Sequence, residues 1–305
     1  MSKMSRAKGA ALALLTVLAL ALTACGKGSA PAASGGGQPA QGQAAQGQGG
    51  QEQAKPAGGQ ATQQAQAGGI AVPQRIKDAG KMTFATDDTY PPMEYKDTDN
   101  KTIIGFDVDV ANEVARRLGV KAEMVSTEWD GLLVGLTGRR FDAVISSMNV
   151  TPERQQQVDF VEYAKLAQVF VVPKGAAPVK KLEDLKGRVV AVQKNTTSED
   201  LARSVQGVKE IKSYDSFADT FIAVEQKRAD VIVIDEPVGL FYVKQKPDVF
   251  EVTGTAAEPE PVGIALRKDD AELKAAVEAA IAEMKKDGTL AAISKKWFGS
   301  DISVR

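Results

Sequence analysis

The sequence predicts an α/β chain with open sheets flanked by helices and divided over two lobes. Three observations predict it. The runs Asp142–Ile145, Arg188–Val192 and Asp230–Ile234 are short, rich in β-branched residues and continuously apolar, as parallel strands covered on both faces require. Helical periodicity fills most of the intervals between them. Residues 70–305 also form a stretch long enough for two lobes with separate cores.

The chain starts with an export pattern. Lys3, Arg6 and Lys8 precede an apolar run from Ala10 to Leu22 that only Thr16 interrupts. That run is too short for a permanent membrane span, and the small residues after it suit a cleavage site. Cys25, the one cysteine of the chain, follows Leu22-Thr23-Ala24 directly. This stretch resembles the bacterial lipobox, which implies cleavage after residue 24 and lipidation of Cys25; an ordinary secretory signal is the plainer reading. Residues 26–69 hold no aromatic residue and no Val, Leu or Ile. Such a segment cannot bury enough apolar surface to offset its ordering entropy, so it reads as a flexible tether.

Beyond the tether, Lys81–Ala85 reads as a short strand, and Thr86 to Pro92 as a turn in which two prolines forbid helix. After Gly105, the residues Phe106, Val110, Val114 and Leu118 recur every four positions, which predicts an amphipathic helix ending at Gly119. Ligands of open α/β sheets sit beyond the carboxyl ends of the strands. Those ends are polar here: Asp87, the run Ser146-Ser147-Met148-Asn149, Gln193 to Thr197, and Asp235-Glu236.

Charge and composition narrow the function further. Five of the 38 basic residues and one of the 39 acidic ones precede residue 70, which leaves about −5 for the remainder. An anionic surface without a basic stripe is a poor partner for nucleic acid. With no His and a single Cys, transition-metal sites and Ser-His or Cys-His catalysis lack their usual residues. No cofactor or metal is expected.

Several ordered blocks carry a resemblance that covers nearly all of residues 75–300. They are ATDDTYPPMEY, GFDVDVANEVARRLG, EWDGLLVGLTGRRFDAVISSMNVTPERQQQVDF, LKGRVVAVQKNTTSED, RADVIVIDEP and DGTLAAISKKWFG. Together they resemble the amino-acid-binding proteins of ABC importers, the family 3 extracellular solute-binding proteins with the type II periplasmic-binding-protein fold. The resemblance implies one lobe from residues 70–167 and 258–305, a second from 168–257, and two crossing hinge strands with the ligand closed between the lobes.

It also implies roles for individual residues. Arg154 follows Thr151 and Pro152, an N-cap and first-turn pair, so its guanidinium at a helix start suits a carboxylate; a surface ion pair is the other role open to it. Thr196 and Thr197 open a helix whose amides suit the same carboxylate, and simple capping is compatible with that. Asp235 ends an apolar strand, an awkward place for an anion without a cationic partner. The family's aligned Asp binds an α-ammonium group; capping the next helix is the alternative. Tyr90 and Trp129 align with aromatic clamps on the ligand side chain, Trp129 having lobe packing as its plainer role. Asp87 aligns with an acceptor for the distal end of the ligand, or else forms a turn. Ser146, Ser147, Met148, Asn149 and Gln193 complete the expected site, with Asn149 where relatives often have Ser or Thr.

The expected function is capture of a free amino acid, cationic or polar such as Arg, Lys, His or Gln, for an ABC permease. The expected form is a monomer held by lipid on the outer face of the bacterial cell membrane, with no nucleic-acid partner and no catalysis. Two other readings stay open. One is a cyclohexadienyl-dehydratase-like enzyme using Glu94 or Glu236 as its acid. The other is a sensory module that signals through a membrane partner, although no second domain or transmembrane helix is expected after Arg305.

Overall fold

The computed structural model describes residues 69–303. The export signal, Cys25 and the tether up to residue 68 lie outside the described residues. Helix α1 (Gln74–Ala79) leads into strand β1 (Lys81–Thr86), and β2 (Thr89–Tyr90), β3 (Glu94–Lys96) and β4 (Ile103–Ile104) form a small antiparallel sheet. Then come α2 (Phe106–Arg117), β5 (Lys121–Ser126), α3 (Leu132–Thr137), β6 (Ala143–Val144), α4 (Pro152–Gln157) and the long β7 (Val158–Pro173). The next stretch alternates: β8 (Val189–Gln193), α5 (Thr197–Ser204), β9 (Glu210–Tyr214), α6 (Phe217–Glu225), β10 (Val231–Asp235) and α7 (Glu236–Gln245). The chain returns through β11 (Phe250–Arg267) and ends in α8 (Ala271–Lys286) and α9 (Thr289–Phe298).

The main sheet has the order β5-β1-β6-β11-β7-β10-β8-β9. Parallel sets stand at its two ends, and the long antiparallel pair β7 and β11 joins them into one ladder. Register shifts interrupt that pair between Val252 and Gly254, Thr255 and Ala257, Ala257 and Glu260, and Val262 and Gly263. Each extra residue bends and twists the strand. The expected lobe boundaries, 167/168 and 257/258, fall within this irregular stretch, where Ala257 pairs with Gln168.

The continuous apolar runs behave as their composition requires. All five residues of β10 are buried. The run at 142–145 is a shorter strand than expected, because the backbone leaves the ladder after Ile145 and Ser147 takes the left-handed conformation at φ 49°. The largest apolar cluster joins Phe106, Val110, Ile264 and Ile281 to Phe217, Phe221, Ile232 and Ile234 through Tyr163, Leu166 and Val169 of β7. The two ends of the sheet therefore share a core.

Helix α2 buries Phe106, Val110, Ala111, Val114 and Ala115 as the four-residue spacing predicts, with acids in its first turn and arginines in its last. Its start is fixed by contact with the chain at 92–94: the amides of Phe106 and Asp107 donate to the carbonyls of Pro92 (3.1 Å) and Met93 (2.9 Å). Gly105 permits this approach, since it lies at φ 143° and a Cβ there would come within 2.0 Å of the Met93 carbonyl oxygen. The packing sets Asp107 under the neighbouring loops, fully buried although it lies on a surface helix.

Candidate functional site

Strand ends and helix starts converge on one cavity. It is lined by Asp87, Tyr90, Glu94, Trp129, Ser146, Ser147, Asn149, Arg154, Gln193, Thr196, Thr197, Ser198, Phe217 and Asp235, around about 360 Å³ of empty space. Asp87 follows β1, Ser146 to Asn149 follow β6, Gln193 ends β8, Thr197 opens α5 and Asp235 ends β10. The rule of carboxyl ends thus holds for four strands at once.

Arg154 is placed by its helix start. Thr151 caps α4, accepting from the Arg154 amide at 3.3 Å, with Pro152 in the first turn. The guanidinium donates to the carbonyls of Asn149 (2.9 Å) and Asn195 (3.3 Å) and lies 5.3 Å from the Trp129 ring centroid. Thr151→Ala should lower stability by about 1 kcal/mol. Urea unfolding of the two proteins measures it; an unchanged midpoint would mean that this cap does not hold the helix start.

Asp235 is buried and accepts from the Tyr90 hydroxyl at 2.8 Å. Burial pushes its carboxyl up to about 7, against the lowering effect of the Tyr90 hydrogen bond and of Arg154. Tyr90 is itself held well above its ordinary value, by burial first and by Asp235 next. Burial lowers Arg154 from the usual guanidinium range, opposed by Asp200 and Asp235. Among the described residues neither Arg154 nor Asp235 forms an ion pair within 4.0 Å. Opposite charges share the cavity, each held by protein dipoles rather than by the other.

The remaining residues tie the walls together. Gln193 Nε2 donates to Asp87 (2.8 Å), whose other oxygen accepts from Thr89 (2.8 Å). Burial raises the Asp87 carboxyl and these two bonds oppose the rise. Thr197 Oγ1 donates to Asn149 Oδ1 (3.0 Å), and the Tyr90 and Phe217 rings stand 4.8 Å apart. At the rim, Trp129 Nε1 donates to the Asn195 carbonyl (3.1 Å), and Lys194 bridges Asp130 (2.7 Å) and Asp215 (2.6 Å).

Eleven of the twelve residues expected in the site line this cavity. Met148 is the correction: its side chain is 1% exposed and packs with Leu132, Leu136 and Ala265 in an apolar cluster. Around the left-handed turn at Ser147, Met148 faces the core while Ser146, Ser147 and Asn149 face the cavity. Glu236 stands apart as well, at the start of α7 in a separate groove with Tyr95, Phe241 and Trp297. Phe217 and Ser198 were missed. The carboxyl-end rule reaches Phe217 only once β9 is recognised, and its sequence EIKSY is too polar to read as a strand. Among the described residues no group of three or more His, Cys, Asp or Glu is arranged to hold a metal ion.

The chain is similar in sequence and fold to known proteins. The L-cystine-binding protein TcyJ of Escherichia coli is 38% identical over 232 residues, which is 75% of this chain and 86% of that protein. An ancestral arginine-binding protein solved with bound arginine is 40% identical at a TM-score of 0.70, over 72% of this chain and 99% of the other. An ancestral amino-acid-binding protein described as a precursor of cyclohexadienyl dehydratase is also 40% identical, at a TM-score of 0.69 over 74% and 98% of the two chains. The family model for bacterial extracellular solute-binding proteins, family 3, matches residues 82–300. With that match spanning most of the chain and all of the cavity, the chain belongs to the family 3 bacterial extracellular solute-binding proteins.

Proposed function

We propose that the chain captures a free α-amino acid, cationic or polar, outside the cytoplasm and hands it unchanged to an ABC importer. One observation carries this reading: Arg154 and Asp235 face the same cavity, oppositely charged and without ion-pair partners among the described residues. An α-amino acid presents a carboxylate and an ammonium group to match them. The carboxylate is assigned to Arg154 and the start of α5, the ammonium to Asp235, and the side chain to Asp87, Tyr90 and Trp129. Relatives named for cystine and arginine support amino acids as the ligand class. Asp87 favours a donor or cation at the distal end of the side chain.

In this reading residues 70–167 with 258–305 and residues 168–257 are the lobes that close on the ligand. The bonds Tyr90 to Asp235, Gln193 to Asp87 and Thr197 to Asn149 cross between them. A ligand touching both lobes stabilises the closed form by its differential affinity. Lipidated Cys25 and the tether would hold a monomer at the outer face of the membrane, within reach of its permease. A thermal-shift screen of the twenty amino acids and L-cystine tests the ligand class. A large shift with Arg, Lys, His, Gln or cystine is expected; one confined to Asp and Glu would overturn the role of Asp87.

The dehydratase reading has one observation in its favour, the likeness to a precursor of such an enzyme. Of its two acids, Glu236 lies outside the cavity, and Glu94, which lines it, is engaged by the Ser146 hydroxyl. Prephenate and arogenate incubated with the protein should be recovered intact, and an aromatic product would overturn capture without conversion.

A further inference from the structure

A buried pair of acids, Glu94 in the cavity wall and Asp107 outside it, is not explained by binding an amino acid alone. Glu94 and Asp107 are both fully buried, on β3 and α2, and no ion pair among the described residues includes either. Ser146 Oγ donates to Glu94 Oε1 at 3.0 Å and accepts from the Asp87 amide at 3.0 Å. Asp107 Oδ2 collects three donors: the Ser147 amide (2.7 Å), the Ser147 hydroxyl (3.2 Å) and the Tyr163 hydroxyl (2.8 Å). The two oxygens left over, Glu94 Oε2 and Asp107 Oδ1, have no hydrogen-bond partner among the described residues. The two carboxyl groups are near enough to perturb each other. Two carboxylates have only acceptors, so a hydrogen bond between them requires a proton.

We propose that Glu94 is a positioning residue of the binding cavity, a neutral carboxylic acid whose proton bridges to the Asp107 carboxylate and locks the Ser146–Ser147 wall in place. The donor count decides where the proton rests. Asp107 receives three hydrogen bonds that favour its charged form, and Glu94 receives one. The proton therefore stays on Glu94 Oε2 and is donated to Asp107 Oδ1. Burial agrees, holding Glu94 well above the usual carboxylate range and Asp107 at about 6. The other groups facing the pair are Asp87 after β1, Tyr90 of β2, Tyr163 of β7 and, across the cavity, Asp235 with Arg154 nearby.

The lock acts on the ligand through two serines. Glu94 accepts from the Ser146 hydroxyl, and Asp107 holds the Ser147 amide while that residue sits at φ 49°, a conformation that costs a non-glycine residue energy. Released from the acids, the wall that carries Asn149 and Arg154 would relax. Glu94 also adds no charge to the cavity, which leaves Asp235 and Asp87 to meet cationic groups.

The role in binding rests on the amino-acid reading above; the proton itself does not. Glu94→Gln and Glu94→Ala separate the two. Glutamine keeps both bonds, its amide nitrogen donating to Asp107 and its oxygen accepting from Ser146, and alanine keeps neither. An infrared difference spectrum of wild type minus Glu94→Gln at pH 8 should show a protonated carboxyl C=O band, and its absence would overturn the shared proton whatever the protein binds. A raised folded value means stability that is present at low pH and lost as pH climbs through it. The alkaline decline in melting temperature should accordingly be shallower in Glu94→Gln than in wild type. Titrated with L-arginine or L-cystine, Glu94→Ala should bind about tenfold or more weakly, with glutamine recovering most of the loss. Equal losses in the two variants would overturn the positioning role. Failure of the wild type to bind any amino acid would remove the functional reading and leave the spectral test standing.

Discussion

Arg154→Ala and Asp235→Ala should each weaken amino-acid binding by about 2–5 kcal/mol, a loss of at least about thirtyfold in calorimetry. The size follows from what each truncation leaves behind: a ligand charge enclosed in the cavity without its partner. Asp235 ends a fully buried strand, so water cannot reach the ammonium in its place. Arg154 has a second device beside it, the start of α5, whose Thr196 hydroxyl already caps the Glu199 amide at 3.3 Å. Arg154→Ala is therefore the milder of the two. The fold should survive both changes, because neither side chain belongs to an apolar cluster. Wild-type affinity in both folded variants would sink the pocket assignment.

The second large effect is on pH. Asp235 must be charged to receive an ammonium group, and burial lifts it to about 7 in the free protein. Binding strength should halve near pH 7 and fall about tenfold for each unit below, a hundredfold by about pH 5. The stability of the free protein should run the opposite way. Asp235 rises from 3.8 on folding, so its contribution is fully present below that value and is lost as pH climbs to about 7. Asp235→Asn, which keeps an acceptor for Tyr90, should melt with wild type near pH 4 and above it at pH 8, by about 2–4 °C per kcal/mol recovered. Calorimetry across pH and melting curves of both proteins measure the two limbs. Affinity that does not change from pH 5 to 8 would contradict a cation site built on a carboxyl lifted to about 7.

Which parts of this were legible follows from which interactions are local. The strands Val189–Gln193 and Val231–Asp235 announced themselves because burial on both faces makes the run continuously apolar. Helix α2 did so through its period and its glycine boundaries. Long β7 and β11 gave no such signal: four register shifts break any alternation in β11, and residues such as Lys165 and Glu260 interrupt both. They were expected only from family likeness. Site residues were readable where a polar residue ended an apolar strand, as at Asp87, Gln193 and Asp235. Met148 was misplaced because the left-handed turn at Ser147 cannot be seen in the run Ser146-Ser147-Met148-Asn149. The proton bridge was hidden for another reason. Glu94 and Asp107 lie thirteen positions apart on different elements and meet only because Gly105 lets α2 pack against residues 92–94.

In the proposed function, two ligand charges pair with two protein charges. The amino acid that raises the melting temperature most should be titrated into the wild-type protein beside its carboxamide and its N-acetyl derivative. The free amino acid should bind one to one, and each derivative, lacking one charge, should lose at least about thirtyfold. Derivatives binding as tightly as the amino acid itself would contradict the assignment of the carboxylate to Arg154 and of the ammonium to Asp235.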